Sequence, residues 1–123
     1  MSTDTETAPV EVGREITLGE MKVTIKGPFP IRAVREMRLP MHEMVNAILA
    51  CESDGDRVDA YLTGLSSDDF ERLILRPVFA ALKSSGLESD YEAFLDQAIP
   101  EHQLIDAWLA VAKEGRYLAE RAR

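Results

Sequence analysis

Apolar and polar residues alternate along "ITLGEMKVTI", Ile16 to Ile25, on both sides of Gly19-Glu20. A two-residue loop there pairs Leu18 with Met21, Thr17 with Lys22 and Ile16 with Val23. Directly paired residues share a face, so Ile16, Leu18, Met21, Val23 and Ile25 form an apolar face. Glu15, Thr17, Lys22, Thr24 and Lys26 form a polar one. Gly19 in the first loop position suits a type II′ turn. The pattern predicts a β-hairpin over 14–27.

Beyond it the period lengthens. "GPFP" stops the strand, because proline donates no ladder hydrogen bond and disfavours helix just before itself. A short helix is predicted at Ile31–Arg38, bounded by Pro40. Pro40 is then placed to open a second, where Met41, Met44, Val45, Ile48 and Leu49 form one stripe. Val58, Tyr61, Leu62 and Leu65 mark a third helix, closed near Gly64. A long fourth follows, capped by Ser66 or Ser67 and stopped by Gly86, with Pro77 expected to kink it or split it after Leu75. Ser89 and Glu92 have capping-box spacing for a fifth, carrying Tyr91, Phe94 and Leu95. Pro100 opens a sixth, on which Leu104, Ile105, Trp108, Leu109 and Ala112 share a face, and which is read as running through Tyr117 and Leu118.

The fold class this implies is α+β and mostly helical, an N-terminal β-hairpin followed by five or six short-to-medium helices. One globular domain is expected over 14–123, its helical part at 30–120, after an acidic, disordered leader at 1–13. A two-stranded hairpin is marginal alone. Its apolar face should therefore be covered by the helices, with Trp108 and Phe79 as candidates, while its edges offer N–H and C=O groups to a further strand.

Composition narrows the function. A chain of 123 residues with 46% hydrophobic and 29% charged residues is ordinary for a soluble domain. The single cysteine, Cys51, rules out an internal disulfide and fits a reducing cytoplasm. No apolar run approaches the roughly 20 residues that span a bilayer, and the leader lacks a signal-peptide core. The net charge is −8, which disfavours nucleic acid and anionic membranes as partners. One segment opposes that balance. Residues 21–38 hold Lys22, Lys26, Arg32, Arg35 and Arg38 against Glu36 alone.

Catalytic patterns are scarce. "ESDGDRVD" gathers Glu52, Asp54, Asp56 and Asp59, but counted from Glu52 a calcium loop would meet Arg57 where it needs glycine and Thr63 where it needs glutamate. It reads as an acidic turn between helices. His102 and Asp106 stand four apart on one helix face, with no third ligand at useful spacing. Cys51 reads as a small buried residue, and no pattern pairs it with His42 or His102. No GxGxxG, P-loop or GxSxG occurs. No enzyme activity and no cofactor are expected.

The basic residues carry more. Arg32, Arg35 and Arg38 recur every three residues and, with Lys22 and Lys26, form either a solvated surface or a docking patch for acidic helices, to which Phe29 and Pro30 would add an apolar anchor. Met37, Met41 and Met44 read either as core or as an adaptable client-binding surface.

The order of the elements resembles the tail assembly chaperones of long-tailed bacteriophages. The likeness runs from Glu15 to Leu82 and lies in "ITLGEMKVTIKG", the proline-broken basic stretch "PFPIRAVREMR", and "GLSSDDFERLILRPVFAAL". It implies a non-enzymatic protein of the host bacterial cytoplasm that coats a long helical tape-measure protein and helps tail-tube subunits assemble; homo-oligomers are expected through the open edge of the hairpin. Independently of the resemblance, the basic patch with its apolar neighbour and the methionines give the candidate binding residues as Lys22, Lys26, Phe29, Arg32, Arg35, Arg38, Met41 and Met44. Two other classes stand beside it. One is an acidic inhibitor that mimics nucleic acid through Asp54, Asp56, Asp59, Asp68, Asp69 and Glu71. The other is a small enzyme or metal protein centred on His102 and Asp106.

Overall fold

Two strands, β1 (Arg14–Leu18) and β2 (Met21–Ile25), form an antiparallel hairpin in this computed structural model, which describes residues 13–117. Five helices follow among the described residues: α1 (Ile31–Ala50), α2 (Gly55–Thr63), α3 (67–84), α4 (Tyr91–Leu95) and α5 (Glu101–Glu114). The α+β reading holds. The acidic leader, except for Gly13, and everything from Leu118 onward lie outside the described residues.

The hairpin has the register that the alternation requires. Leu18 pairs with Met21, Thr17 with Lys22 and Ile16 with Val23, and the ladder extends to Glu15–Thr24 and Arg14–Ile25. Gly19 has a φ of 63° and Glu20 a negative one, the signature of a type II′ turn. Leu18 and Ile25 are fully buried, whereas Glu15, Thr17, Lys22, Thr24 and Lys26 are exposed.

What covers the apolar face is α5. It runs against β1 and carries Trp108, which is 1% exposed. Polar ties fix both ends of the hairpin to this helix. The Gly19 N–H donates to Gln103 Oε1 at 2.7 Å, and the Gly27 N–H to Glu114 Oε1 at 3.0 Å. Arg14 Nε lies 3.0 Å from the other Glu114 oxygen. A side chain at position 27 would collide with the Glu114 carbonyl oxygen, so only glycine allows this approach. Phe79, the other candidate cover, lies in an aromatic cluster instead, 5.1 Å from Tyr91 and 5.5 Å from Phe94 between ring centroids. That cluster fastens α4 to α3.

Pro40 departs from the sequence reading. It does not separate two helices but lies inside α1, a single helix of 20 residues. The predicted break rested on the hydrogen bond that Pro40 cannot give to the Glu36 carbonyl. Burial of Met37 and Met41 on either side of the proline, both at 0% exposure, outweighs that loss. At Pro77 the interruption expected after Leu75 is present, as a change of helix type rather than a gap in α3. A π turn over Glu71–Leu75 sends the Arg76 N–H back to the Glu71 carbonyl, and the widened turn gives the buried proline ring room.

The caps follow local chemistry. Ser66 Oγ accepts from the Asp69 N–H at 3.1 Å and opens α3. Asp90, rather than Ser89, caps α4 by accepting from the Ala93 N–H at 2.8 Å. Helix α5 stops earlier than expected, at Glu114. Arg116 takes a φ of 65°, and the Tyr117 N–H reaches back to the Ala112 carbonyl at 2.9 Å.

Candidate functional site

Helix α1 has two unlike faces. Ala33, Met37, Met41, Met44 and Val45 turn inward and are buried. The opposite face carries Ile31, Arg35, Arg38, Leu39, His42, Asn46 and Leu49, at intervals of three, four or seven residues that keep them on one side of a helix. Four large apolar side chains are exposed among the described residues, and three of them stand here: Ile31 at 80%, Leu39 at 74% and Leu49 at 62%. Fully burying one such side chain is worth about 1.5–3 kcal/mol, so this stripe holds unused association energy.

Its electrostatics are equally lopsided. Arg35 and Arg38 lie in the stripe and Arg32 at its edge, and none of the three makes an ion pair among the described residues. The stripe contains no acid. Glu43, on the flank, is held by Arg72 of α3, whose guanidinium also reaches Asp69 at 2.9 Å. That bidentate grip pulls the Glu43 carboxyl below its ordinary pKa and raises that of Arg72. Within the stripe His42 stacks edge-on to Tyr117 with centroids 5.3 Å apart. Burial pushes the Tyr117 hydroxyl pKa upward, partly opposed by the positive charge of Arg38.

The expected patch is not one surface. Arg35 and Arg38 share the stripe. Arg32 lines a cleft of about 480 Å³ between α1 and α3, together with Phe79 and Lys83. Lys22 borders a separate hollow beside the 85–88 turn, and Lys26 stays on the exposed face of the hairpin. Phe29 is 9% exposed and packs over Gly115 rather than offering an anchor. Met37, Met41 and Met44 are core, at 0%, 0% and 1% exposure, so the adaptable methionine surface is not present. What the sequence reading missed is the exposed leucine pattern. The helical period groups Leu49 with Met41, Met44, Val45 and Ile48, yet Leu49 lies on the exposed face with Ile31 and Leu39, which no periodic pattern marks.

A second concave region shares Glu71 with the hollow that borders Glu36 and Pro40 of α1. A groove of about 460 Å³ opens between the end of α2, the start of α3, α4 and α5. Leu65, Phe70, Leu75 and Leu104 line it, with Leu95 exposed by 40% at its lip. Among the described residues its charged lining groups are Glu71 and Glu101.

The remaining candidates have structural duties. Asp54 caps α2 by accepting from the Asp56 and Arg57 N–H groups at 3.0 and 3.3 Å. Cys51 is buried, and its thiol donates to the Ala47 carbonyl. His102 and Asp106 are both exposed and form no hydrogen bond with each other. Among the described residues no three His, Cys, Asp or Glu side chains group closely enough to hold a metal ion, and no helix is long and apolar enough to cross a membrane. Comparison with protein-family models, with curated proteins and with solved structures gave no match.

Proposed function

We propose that this chain is a non-enzymatic assembly factor that grips an acidic, amphipathic helix on the outer face of α1. The observation behind this is the stripe itself: exposed Ile31, Leu39 and Leu49 interleaved with arginines that form no ion pair among the described residues, on a protein of net charge −8. Exposed apolar residues set among cations suit a client with a matching apolar stripe and carboxylates beside it. The resemblance to tail assembly chaperones narrows the client to a long helical protein of the tape-measure kind, with tail-tube subunits joining later in the host bacterial cytoplasm. The acidic-inhibitor reading has less support, because Asp54 serves as a helix cap, Asp69 pairs with Arg72, and Glu71 accepts the Tyr91 hydroxyl at 2.9 Å.

The test is co-expression with a phage tape-measure protein that aggregates when made alone. The wild-type chain is expected to keep it soluble and co-purify with it, and the combined Arg35→Glu, Arg38→Glu, Leu39→Asp variant is expected to do neither. Equal rescue by the variant would remove α1 from the reading. A tape-measure protein that stays insoluble with the wild-type chain would remove the chaperone role.

A further inference from the structure

We infer that a second copy of this chain also binds the outer face of α1, seating it in the groove between α2, α3, α4 and α5. This rests on the reading of that face as a docking surface and names a partner for it. The two surfaces differ in charge. The α1 face is apolar and basic along the stripe: Leu39 has Arg35 and Arg38 on one side, and Glu36 and the Arg72-bound Glu43 on the other flank. The groove is concave and apolar, floored by Phe70, Leu75 and Leu104, and its charged liners are both acids, Glu71 and Glu101.

Leu39 entering beside Leu95 would bring the arginines, on flexible stems of several ångströms, within reach of both carboxylates. Glu71 already accepts the Tyr91 hydroxyl and has Arg76 at 3.7 Å. Glu101, in the first turn of α5, forms no ion pair among the described residues and is the freer acceptor. The stripe runs along a helix of 20 residues, about 30 Å. That length can supply the roughly 800 Å² per partner of a standard interface.

The two surfaces share no residue, and wherever two copies do not exchange both contacts reciprocally the contact is heterologous. Each association leaves one face and one groove open, and copies add head to tail until a ring closes. A client helix on α1 competes with the neighbouring copy for the same face. Growth and client binding therefore oppose each other at each open end.

Light scattering after size-exclusion chromatography tests this with two variants of the full chain. The face variant carries Arg35→Glu and Arg38→Glu, and the groove variant carries Leu95→Arg and Glu101→Arg. All four positions are exposed, and circular dichroism checks that both variants fold. If the double groove variant does not fold, Glu101→Arg alone replaces it. The wild type is expected to exceed the monomer mass of 13.7 kDa and to shrink as salt is raised. Each variant alone is expected to run as a monomer, with association weakened at least tenfold. A mixture of the two is expected to form a dimer and nothing larger, because the face variant keeps its groove and the groove variant keeps its face.

A monomeric wild type, oligomers that survive both variants, or a mixture without a dimer would each overturn the inference. The docking reading is tested separately on the groove variant, using a fluorescent acidic amphipathic helical peptide. Peptide binding without self-association would leave the function standing and remove only the second copy as a partner. No binding of that peptide would remove the α1 reading itself.

Discussion

Tyr91 joins α3 to α4 through three contacts: its ring meets Phe79, its hydroxyl donates to Glu71, and the Arg76 guanidinium lies 4.1 Å from its ring centroid. Burial first, and the Glu71 carboxylate next, push the hydroxyl pKa up to about 12. The protonated form is therefore the one the folded state favours. Its contribution is intact below the ordinary tyrosine value near 10 and is lost as pH rises through 12. Tyr91→Phe is expected to cost about 1 kcal/mol at neutral pH and to flatten the fall in stability between pH 10 and 12, measured by urea denaturation; an unchanged alkaline limb would refute this. Trp108 gives a second prediction. Its indole Nε1 is buried with no hydrogen-bond partner among the described residues, so Trp108→Phe is expected to give up contact area but no hydrogen bond. Trp108→Ala should cost about 3–5 kcal/mol and Trp108→Phe distinctly less. Equal losses would point to a partner for the N–H. At this scale the sequence was legible where one residue acts on its own backbone, as Ser66 does. It misled where neighbours compete, since Ser89 and Asp90 both suit a cap and only Asp90 serves.

The elements were legible where one period applied throughout. Strand register follows from the alternation and a two-residue turn, because a slip by one residue would turn every apolar side chain of the hairpin to solvent. Helix boundaries were less legible at proline, where the local rule and tertiary burial disagree. The outcome at Pro40 makes this measurable: Pro40→Ala restores a donor to the Glu36 carbonyl and is expected to stabilise the chain by about 1 kcal/mol, less than the roughly 3 kcal/mol that separates alanine from proline inside a helix, because proline also restricts the unfolded chain. A lower melting temperature in the variant would mean that packing of the proline ring outweighs the missing bond. Gly27 makes the opposite case. Alanine there would drive the hairpin off the Glu114 carbonyl, and a loss of about 2–3 kcal/mol is expected from the forced shift. Gly86→Ala sits in open space but at a φ of 113° and tests backbone strain separately from collision. The candidate site lay between these cases. Arg35 and Arg38 were visible in the sequence, whereas the groove gathers Leu65, Leu95 and Leu104 from three separate parts of the chain, which no local period can reveal.

At the scale of the whole molecule, one charge distribution acts in two opposed ways. A net charge of −8 repels itself within each compact copy, while in the proposed contact the basic α1 stripe would attract the groove of another. Screening weakens both, since the Debye length falls from about 30 Å at 0.01 M salt to about 8 Å at 0.15 M. Stability and assembly should therefore move in opposite directions along one salt series. To keep mass action from mixing the two, stability is read on the groove variant as a monomer and assembly on the wild type. The urea midpoint of the monomer is expected to rise with salt as self-repulsion is screened, while the mass of the wild-type oligomer falls. A monomer that instead loses stability with salt would show that its internal ion pairs, Arg72 with Glu43 and Asp69 and Arg14 with Glu114, outweigh the net repulsion. An oligomer that grows with salt would show that the contact is driven by Ile31, Leu39 and Leu49 with little help from the arginines. The two curves together separate the charge that shapes the fold from the charge that recruits a partner.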